Sequence, residues 1–227
     1  MVCGRKTFFY SVCPSCIEKH FSVENVLNKE RCVYCGRLLI SSKQSCLKCR
    51  EQRILTHTDT VIPLFSYRLW NKELLYKWKI NGERANSAFF ALCVQSVLKK
   101  LEIEVLVPVP PRKNKIRKNG WDQIDELCTF LQKRYGFKLL KILVRNSIEQ
   151  QKKLNKNERL ETIKTAYSLC NGPEMEEVLK PFSGVVPERV CLIDDVCTTG
   201  ATLENCARLL KTAGIKTVDV VTLFTVD

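Results

Sequence analysis

The stretch VCLIDDVCTTGATL, Val190 to Leu203, decides the fold. Four largely apolar residues read as a buried strand. They run into two adjacent carboxylates, Asp194 and Asp195, and then into a small hydroxyl-rich turn, Thr198-Thr199-Gly200-Ala201-Thr202. The continuation ATLENCARLLKTAG places Leu203, Cys206, Ala207 and Leu210 on one helical face, with Gly214 as the stop. The aspartates are thus expected to end the strand, and Ala201 to start the helix. In an open parallel sheet the ligand crevice lies beyond the carboxyl ends of the strands. Free amides at the helix N-terminus, joined by the hydroxyls of Thr198, Thr199 and Thr202, make a cradle for a phosphate. The carboxylates cannot hold a phosphate themselves; their natural targets are hydroxyls, a Mg²⁺ ion, or both. A phosphate with a vicinal diol next to it describes a ribose 5-phosphate. Two aspartates or a Thr-Thr-Gly turn alone would read as ordinary strand-end and helix-capping chemistry. Only the composite of strand, acidic pair, turn and helix is specific.

Working outward, KTVDVVTLF forms a closing strand and THTDTVIPLFSY an opening one, both rich in β-branched residues. NKELLYKWKINGERANSAFFALCVQSVLKKL carries Leu74, Leu75, Trp78, Phe89, Phe90, Cys93, Val94, Val97 and Leu98 at helical spacing, broken near Asn81-Gly82. EVLVPVP is a short buried strand stopped by prolines, and DQIDELCTFLQKRYG an amphipathic helix stopped by Gly136. Strands alternating with amphipathic helices predict an α/β fold with a mainly parallel sheet and helices on both faces. The segment from Asn171 to Pro187, rich in proline and glycine, is expected to be a loop or small insertion.

The N-terminal part has a different texture. Of 13 cysteines, seven fall in the first 49 residues: Cys3, Cys13, Cys16, Cys32, Cys35, Cys46 and Cys49. Cys32-x-x-Cys35 and Cys46-x-x-Cys49 are two knuckles of the kind that present four thiolates tetrahedrally to Zn²⁺. Gly36 permits the tight turn in which amide N–H groups reach the sulfurs. Four thiolates leave no open coordination position, so the metal is structural. The stretch CGRKTFFYSVCPSC echoes CGRLLISSKQSCLKC. The first copy lacks only the cysteine that would stand three residues before Cys3, upstream of Met1. A lost ligand, a start further upstream, completion by His20, or plain packing cysteines are the open alternatives. These features divide the chain into a zinc-binding module, 1–52, and a main domain, 53–227.

Composition bounds the partners. The chain has 227 residues, 45% of them hydrophobic, with 37 Lys and Arg against 24 Asp and Glu and a formal charge of +13. Such a surface favours polyanions, whether nucleic acid or phosphorylated metabolites, or serves solubility alone. No apolar run approaches the roughly 20 residues that span a bilayer, and the N-terminal residues lack the apolar core of a secretory signal. A cytoplasmic protein without membrane insertion is expected.

VCLIDDVCTTGATL resembles the phosphoribosyl pyrophosphate signature of type I phosphoribosyltransferases. The chain as a whole, from about Cys32 onward, is similar to the ComF family of competence-associated, phosphoribosyltransferase-like proteins: cysteine knuckles, a strand with VPVP, then the signature. The resemblance implies a type I phosphoribosyltransferase fold and a Mg²⁺-dependent transfer from phosphoribosyl pyrophosphate. It implies that Asp194 and Asp195 hold the ribose hydroxyls and that Cys197, Thr198, Thr199, Gly200, Ala201 and Thr202 wrap the 5-phosphate. Pro110, Pro111 and Arg112 would stand at the pyrophosphate. The basic segment RKNKIRKNGWDQ would be the loop that closes over the reaction, with Lys113, Lys115, Arg117 and Lys118 countering charge. Where the family has Arg-Gly-Phe-Asn-Gln, this chain has Asn119-Gly120-Trp121-Asp122-Gln123; the spacing of Gln151, Leu154, Arg159 and Ala166-Tyr167 is kept. Two other readings accompany the enzymatic one. The chain would be a non-catalytic partner of single-stranded DNA and of DNA-uptake proteins, with Trp70, Trp78 and Trp121 as possible stacking platforms. Alternatively it would be a metabolite sensor that binds the donor and regulates a partner. The acceptor is not legible.

Overall fold

The computed structural model describes residues 3, 5, 11–39, 43–111, 120–146 and 166–226. Among these, five strands form a parallel sheet: β1 (Thr60–Ser66), β2 (Val105–Pro108), β3 (Lys138–Leu139), β6 (Arg189–Cys197) and β7 (Thr217–Thr225), in the order β1-β7-β6-β2-β3. Every pairing in it is parallel. A separate antiparallel pair joins β4 (Leu143–Arg145) to β5 (Tyr167–Leu169).

The alternation along β6 shows why a near-continuous apolar run is needed in a sheet covered on both sides. Cys191 and Ile193 pack into one core with α4 (Leu69–Lys79), α5 (Ala85–Lys100) and α6 (Gln123–Tyr135). Val190 and Leu192 pack into the other, with Val218, Val220 and the Leu203, Cys206, Ala207 and Leu210 face of α8 (Ala201–Thr212). The expected α/β architecture with helices on both faces is what forms. Trp78 is fully buried, and its ring lies 4.8 Å from that of Phe90. It is a core residue, as its helical spacing suggested.

Local chemistry sets the helix ends. Asp122 caps α6, its carboxylate accepting from the Ile124 and Asp125 amides at 2.9 and 3.1 Å. Gly136 closes the same helix at φ 79°, a conformation that costs a β-carbon-bearing residue about 1 kcal/mol.

Two expectations are corrected. Residues 171–187 are not a loop, because α7 (Gly172–Leu179) and a 3₁₀ turn (Lys180–Phe182) occupy most of the segment. Pro173 sits in the first helical turn, where its missing N–H is no loss, and Met175, Val178 and Leu179 supply the apolar face. Nor does the strand end on the aspartates. β6 runs on to Cys197, because Asp194, Val196 and Cys197 still pair with Thr222, Phe224 and Thr225 of β7.

The cysteine-rich segment packs against the β1 side of the sheet. Its helices α1 (Pro14–Phe21) and α2 (Val23–Leu27) send Phe21 and Val26 into the main core, Phe21 lying edge-on 5.0 Å from Phe65 and 4.8 Å from Phe89. Edge strand β1 carries Pro63, which cannot donate to a ladder. The Pro63 carbonyl accepts from Arg31 at 2.8 Å, and Gly36 approaches so closely that a β-carbon there would collide with the Val61 carbonyl and the Pro63 ring. The knuckle thus covers a sheet edge that would otherwise stand open. A short helix, α3 (Leu47–Glu51), follows Cys46.

Candidate functional site

The acidic pair stands near the carboxyl end of β6, between β7 and β2, at the centre of the sheet. The two carboxylates are not equivalent. Asp194 accepts the backbone N–H of Asp195 at 2.8 Å. Burial, and then the charge of Asp195, push its pKa up to about 7. Asp195, 7% exposed, meets two partners from distant elements: Lys79 Nζ at the end of α4 and Gln123 Nε2 at the start of α6, each 2.5 Å from Oδ2. Sequence reasoning missed Lys79, since nothing in a lysine on an amphipathic helix says that it will face a strand 116 residues away. Gln123 was seen only as part of a motif, and the substituted motif residue beside it, Asp122, spends its carboxylate on capping.

The turn after β6 matches the expected outline. Gly200 has φ 88° and directly precedes α8, and the Ala201 amide lies 3.3 Å from the Thr199 hydroxyl. Thr198 and Thr199 are exposed, while Cys197 is buried. Tyr167 of β5 brings its hydroxyl to Arg145 at 2.6 Å and also bonds the Thr202 side chain. Burial pushes the Tyr167 pKa up to about 12, so it remains a neutral phenol. The small antiparallel pair thereby lays a second cation, Arg145, beside the turn. Pro110 and Pro111 follow β2 next to this strand end: the Val109 amide bonds the Ile193 carbonyl at 3.0 Å, one residue before Asp194. The structure therefore brings together Asp194, Asp195, Cys197 to Thr202, Pro110 and Pro111. Arg112, Lys113, Lys115, Arg117 and Lys118 lie outside the described residues, as do Gln151, Leu154 and Arg159. A groove of about 770 Å³ along α6, lined by Arg84, Trp121, Glu126 and neighbours, contains none of the signature residues.

The cysteines form two groups. The ligand atoms of Cys32, Cys35, Cys46 and Cys49 all lie within 4.8 Å of one another, as do those of Cys3, Cys13 and Cys16. Cys35 Sγ and Cys46 Sγ are 3.8 Å apart, the edge of a tetrahedron built on Zn–S bonds of about 2.3 Å. Around Cys32, burial opposes the thiolate, but the N–H groups of Cys46, Cys35 and Tyr34 outweigh it and the pKa falls to about 7. Gly36, at φ 67°, makes the turn that lets its N–H reach the Cys32 carbonyl at 2.8 Å. The four-cysteine group thus fits a metal ion of the zinc kind. The three-cysteine group, with Cys3 and Cys13 sulfurs 3.4 Å apart, can hold one too; His20 is not part of it.

Residues 147–227 match the phosphoribosyl transferase domain family. Competence protein ComFC of Streptococcus pneumoniae is 29% identical over 195 residues, covering 85% of this chain and 79% of that protein. The chain is thus similar to a competence protein over most of its length. Competence protein F of Haemophilus influenzae is 25% identical over 83% of this chain and 82% of its own length. Competence protein ComFC of Bacillus subtilis is 27% identical over 89% and 79%. The likeness to these proteins covers 83–89% of this chain. No helix among the described residues is long and apolar enough to cross a membrane.

Proposed function

We propose that the chain binds phosphoribosyl pyrophosphate at the end of β6 and transfers its phosphoribosyl group, as a cytoplasmic protein with a competence role like that named in its relatives. One observation carries the reading: an acidic pair and a glycine-hinged, threonine-rich turn stand together at the carboxyl end of the central strand of a parallel sheet. The turn amides of residues 198–202 and the threonine hydroxyls take the 5-phosphate. Asp194 and Asp195 take the ribose hydroxyls. Because Asp195 is held by Lys79 and Gln123, it is fixed in place and remains an acceptor on its second oxygen; Asp194, uncharged below about pH 7, can also donate.

Displacing pyrophosphate from the sugar passes through a cation-like ring. Mg²⁺ bound with the donor's pyrophosphate supplies neutralisation of the leaving charge. The chain's part is to hold the diol, with the 5-phosphate anchored beyond it, and to bring the cations Arg112, Arg117 and Lys118 to the departing group while water is excluded. The division into a module at 1–52 and a domain at 53–227 belongs to the same proposal, with structural Zn²⁺ at Cys32, Cys35, Cys46 and Cys49 and a second ion at Cys3, Cys13 and Cys16.

Thermal unfolding with millimolar phosphoribosyl pyrophosphate and Mg²⁺ tests the reading. A rise of several degrees is expected for the native chain and none for Asp194→Asn/Asp195→Asn. No rise in the native chain sinks it. The competence relatives favour a second reading, binding of single-stranded DNA by the basic surface. Its mark would be affinity that falls steeply with salt; no affinity at low salt would end it.

A further inference from the structure

The metal-ligating knuckle and the turn after β6 are far apart in sequence but tied together by three contacts. Arg37, next to Gly36, gives its backbone N–H to the Cys35 sulfur, while its guanidinium donates to the Val226 carbonyl at 2.8 Å. The Val226 N–H in turn donates to the Cys197 carbonyl at 3.0 Å, at the last residue of β6, where the turn begins. Leu55, in the segment joining the knuckle to β1, caps the hinge: its carbons lie 3.1–3.4 Å from where a β-carbon on Gly200 would stand. Glu204, in the first turn of α8, accepts the backbone N–H groups of Thr56 at 2.8 Å and His57 at 3.1 Å, and also bonds the Thr56 hydroxyl and the His57 ring.

Between the two regions lies a cavity of about 220 Å³. Cys35, Cys46, Lys48 and Cys49 line one side, and Thr198 and Thr199 the other. Arg37 also lines it, and its Nε is buried without a hydrogen-bond partner among the described residues. The four-thiolate centre, two net negative charges when it holds Zn²⁺, thus shares a cavity with the turn and with the cations Arg37 and Lys48.

We infer that the knuckle is the second wall of the turn after β6, so that metal occupancy at Cys32, Cys35, Cys46 and Cys49 sets the affinity of residues 198–202 for a sugar phosphate, with Arg37 as the positioning residue between them. The ligand in this statement rests on the reading under Proposed function; the mechanical link between metal and turn does not. Linkage is reciprocal, so the sugar phosphate also tightens binding of the metal by the same free energy.

The test uses the full zinc-loaded chain, with ribose 5-phosphate as the probe. Hydrogen exchange of residues 197–205 and calorimetric affinity are measured before and after chelation, and in Arg37→Met and Leu55→Ala, whose zinc content is checked by mass spectrometry. Chelation is expected to speed exchange of 197–205 and weaken binding by about tenfold, within the usual range of coupling between sites. Arg37→Met is expected to do the same, by about fivefold, while still holding its zinc. Leu55→Ala serves in its place if that variant loses zinc. Exchange in 197–205 that ignores chelation overturns the inference, as does a zinc-holding Arg37→Met with native exchange and affinity. Exchange that responds in a chain with no affinity for ribose 5-phosphate sustains the link and rejects the ligand.

Discussion

The knuckle at residues 31–52 and the strand-turn-helix at 189–212 both carry a compact motif, yet different forces hold them. In the second, Val190, Cys191, Leu192 and Ile193 are completely buried, and hydrophobic burial on two faces fixes the acidic pair to within a residue. In the first, Cys32 is the sole member of the buried apolar set among the described residues of 31–52, and Val33 and Leu47 are exposed. What shapes it is a set of sulfurs, one glycine turn and a few arginine contacts to carbonyls. A region without a core of its own takes its geometry from ligands and from the surface it docks on.

Stripping the metal should break this contrast most sharply. Chelation, or Cys32→Ser with Cys35→Ser, is expected to abolish exchange protection in 31–52 while leaving Val190–Ile193 protected, since structural zinc supplies folding energy outright. Protection in 31–52 that survives full metal loss would erase the distinction. On the core side, Phe90→Ala should cost about 3–5 kcal/mol in denaturant unfolding, since its ring packs against Trp78, Phe89 and Phe224. That variant should leave zinc content unchanged at the temperature where it stays folded.

Smaller effects separate the parts of the site. Lys79→Met should cost about 1–3 kcal/mol, because it leaves a largely buried carboxylate on Asp195 with Gln123 as its remaining partner. Gly200→Ala should cost about 1–2 kcal/mol, through the left-handed backbone and the crowding of Leu55, and should weaken sugar phosphate binding as well. The pH dependence follows from Asp194. Asp194 has its pKa raised in the folded chain, so the folded state binds the extra proton, and the stability it allows at low pH is lost as pH rises from about 4 to about 7. Asp194→Asn should flatten that window in a pH series of urea unfolding; an unchanged slope would show that Asp194 ionises freely.

Much of the fold was legible because it is written in period and punctuation. The apolar run of 190–193, the helical stripe of 203–210 and Gly136 each mapped onto the element they announced. Residues 171–187 misled because proline counts as a breaker although it is well placed in a first turn. The two-residue and three-residue strands β3, β4 and β5 are too short to show a period at all. At the site, the acidic pair and the turn were legible because they are contiguous. Lys79, Gln123 and Arg145 reach them across the fold, and only tertiary packing puts an ammonium from α4 onto a carboxylate of β6. The tie from Arg37 through Val226 to Cys197 is likewise invisible to spacing.

Calorimetric titration of the zinc-loaded chain with phosphoribosyl pyrophosphate and Mg²⁺, beside Asp194→Asn/Asp195→Asn folded to the same circular dichroism spectrum, tests the central claim most directly. The account predicts saturable binding near one equivalent in the native chain and at least about tenfold weaker binding in the variant, the loss of charge-assisted hydrogen bonds to a diol. Equal affinity in both, or no heat in either, would contradict it.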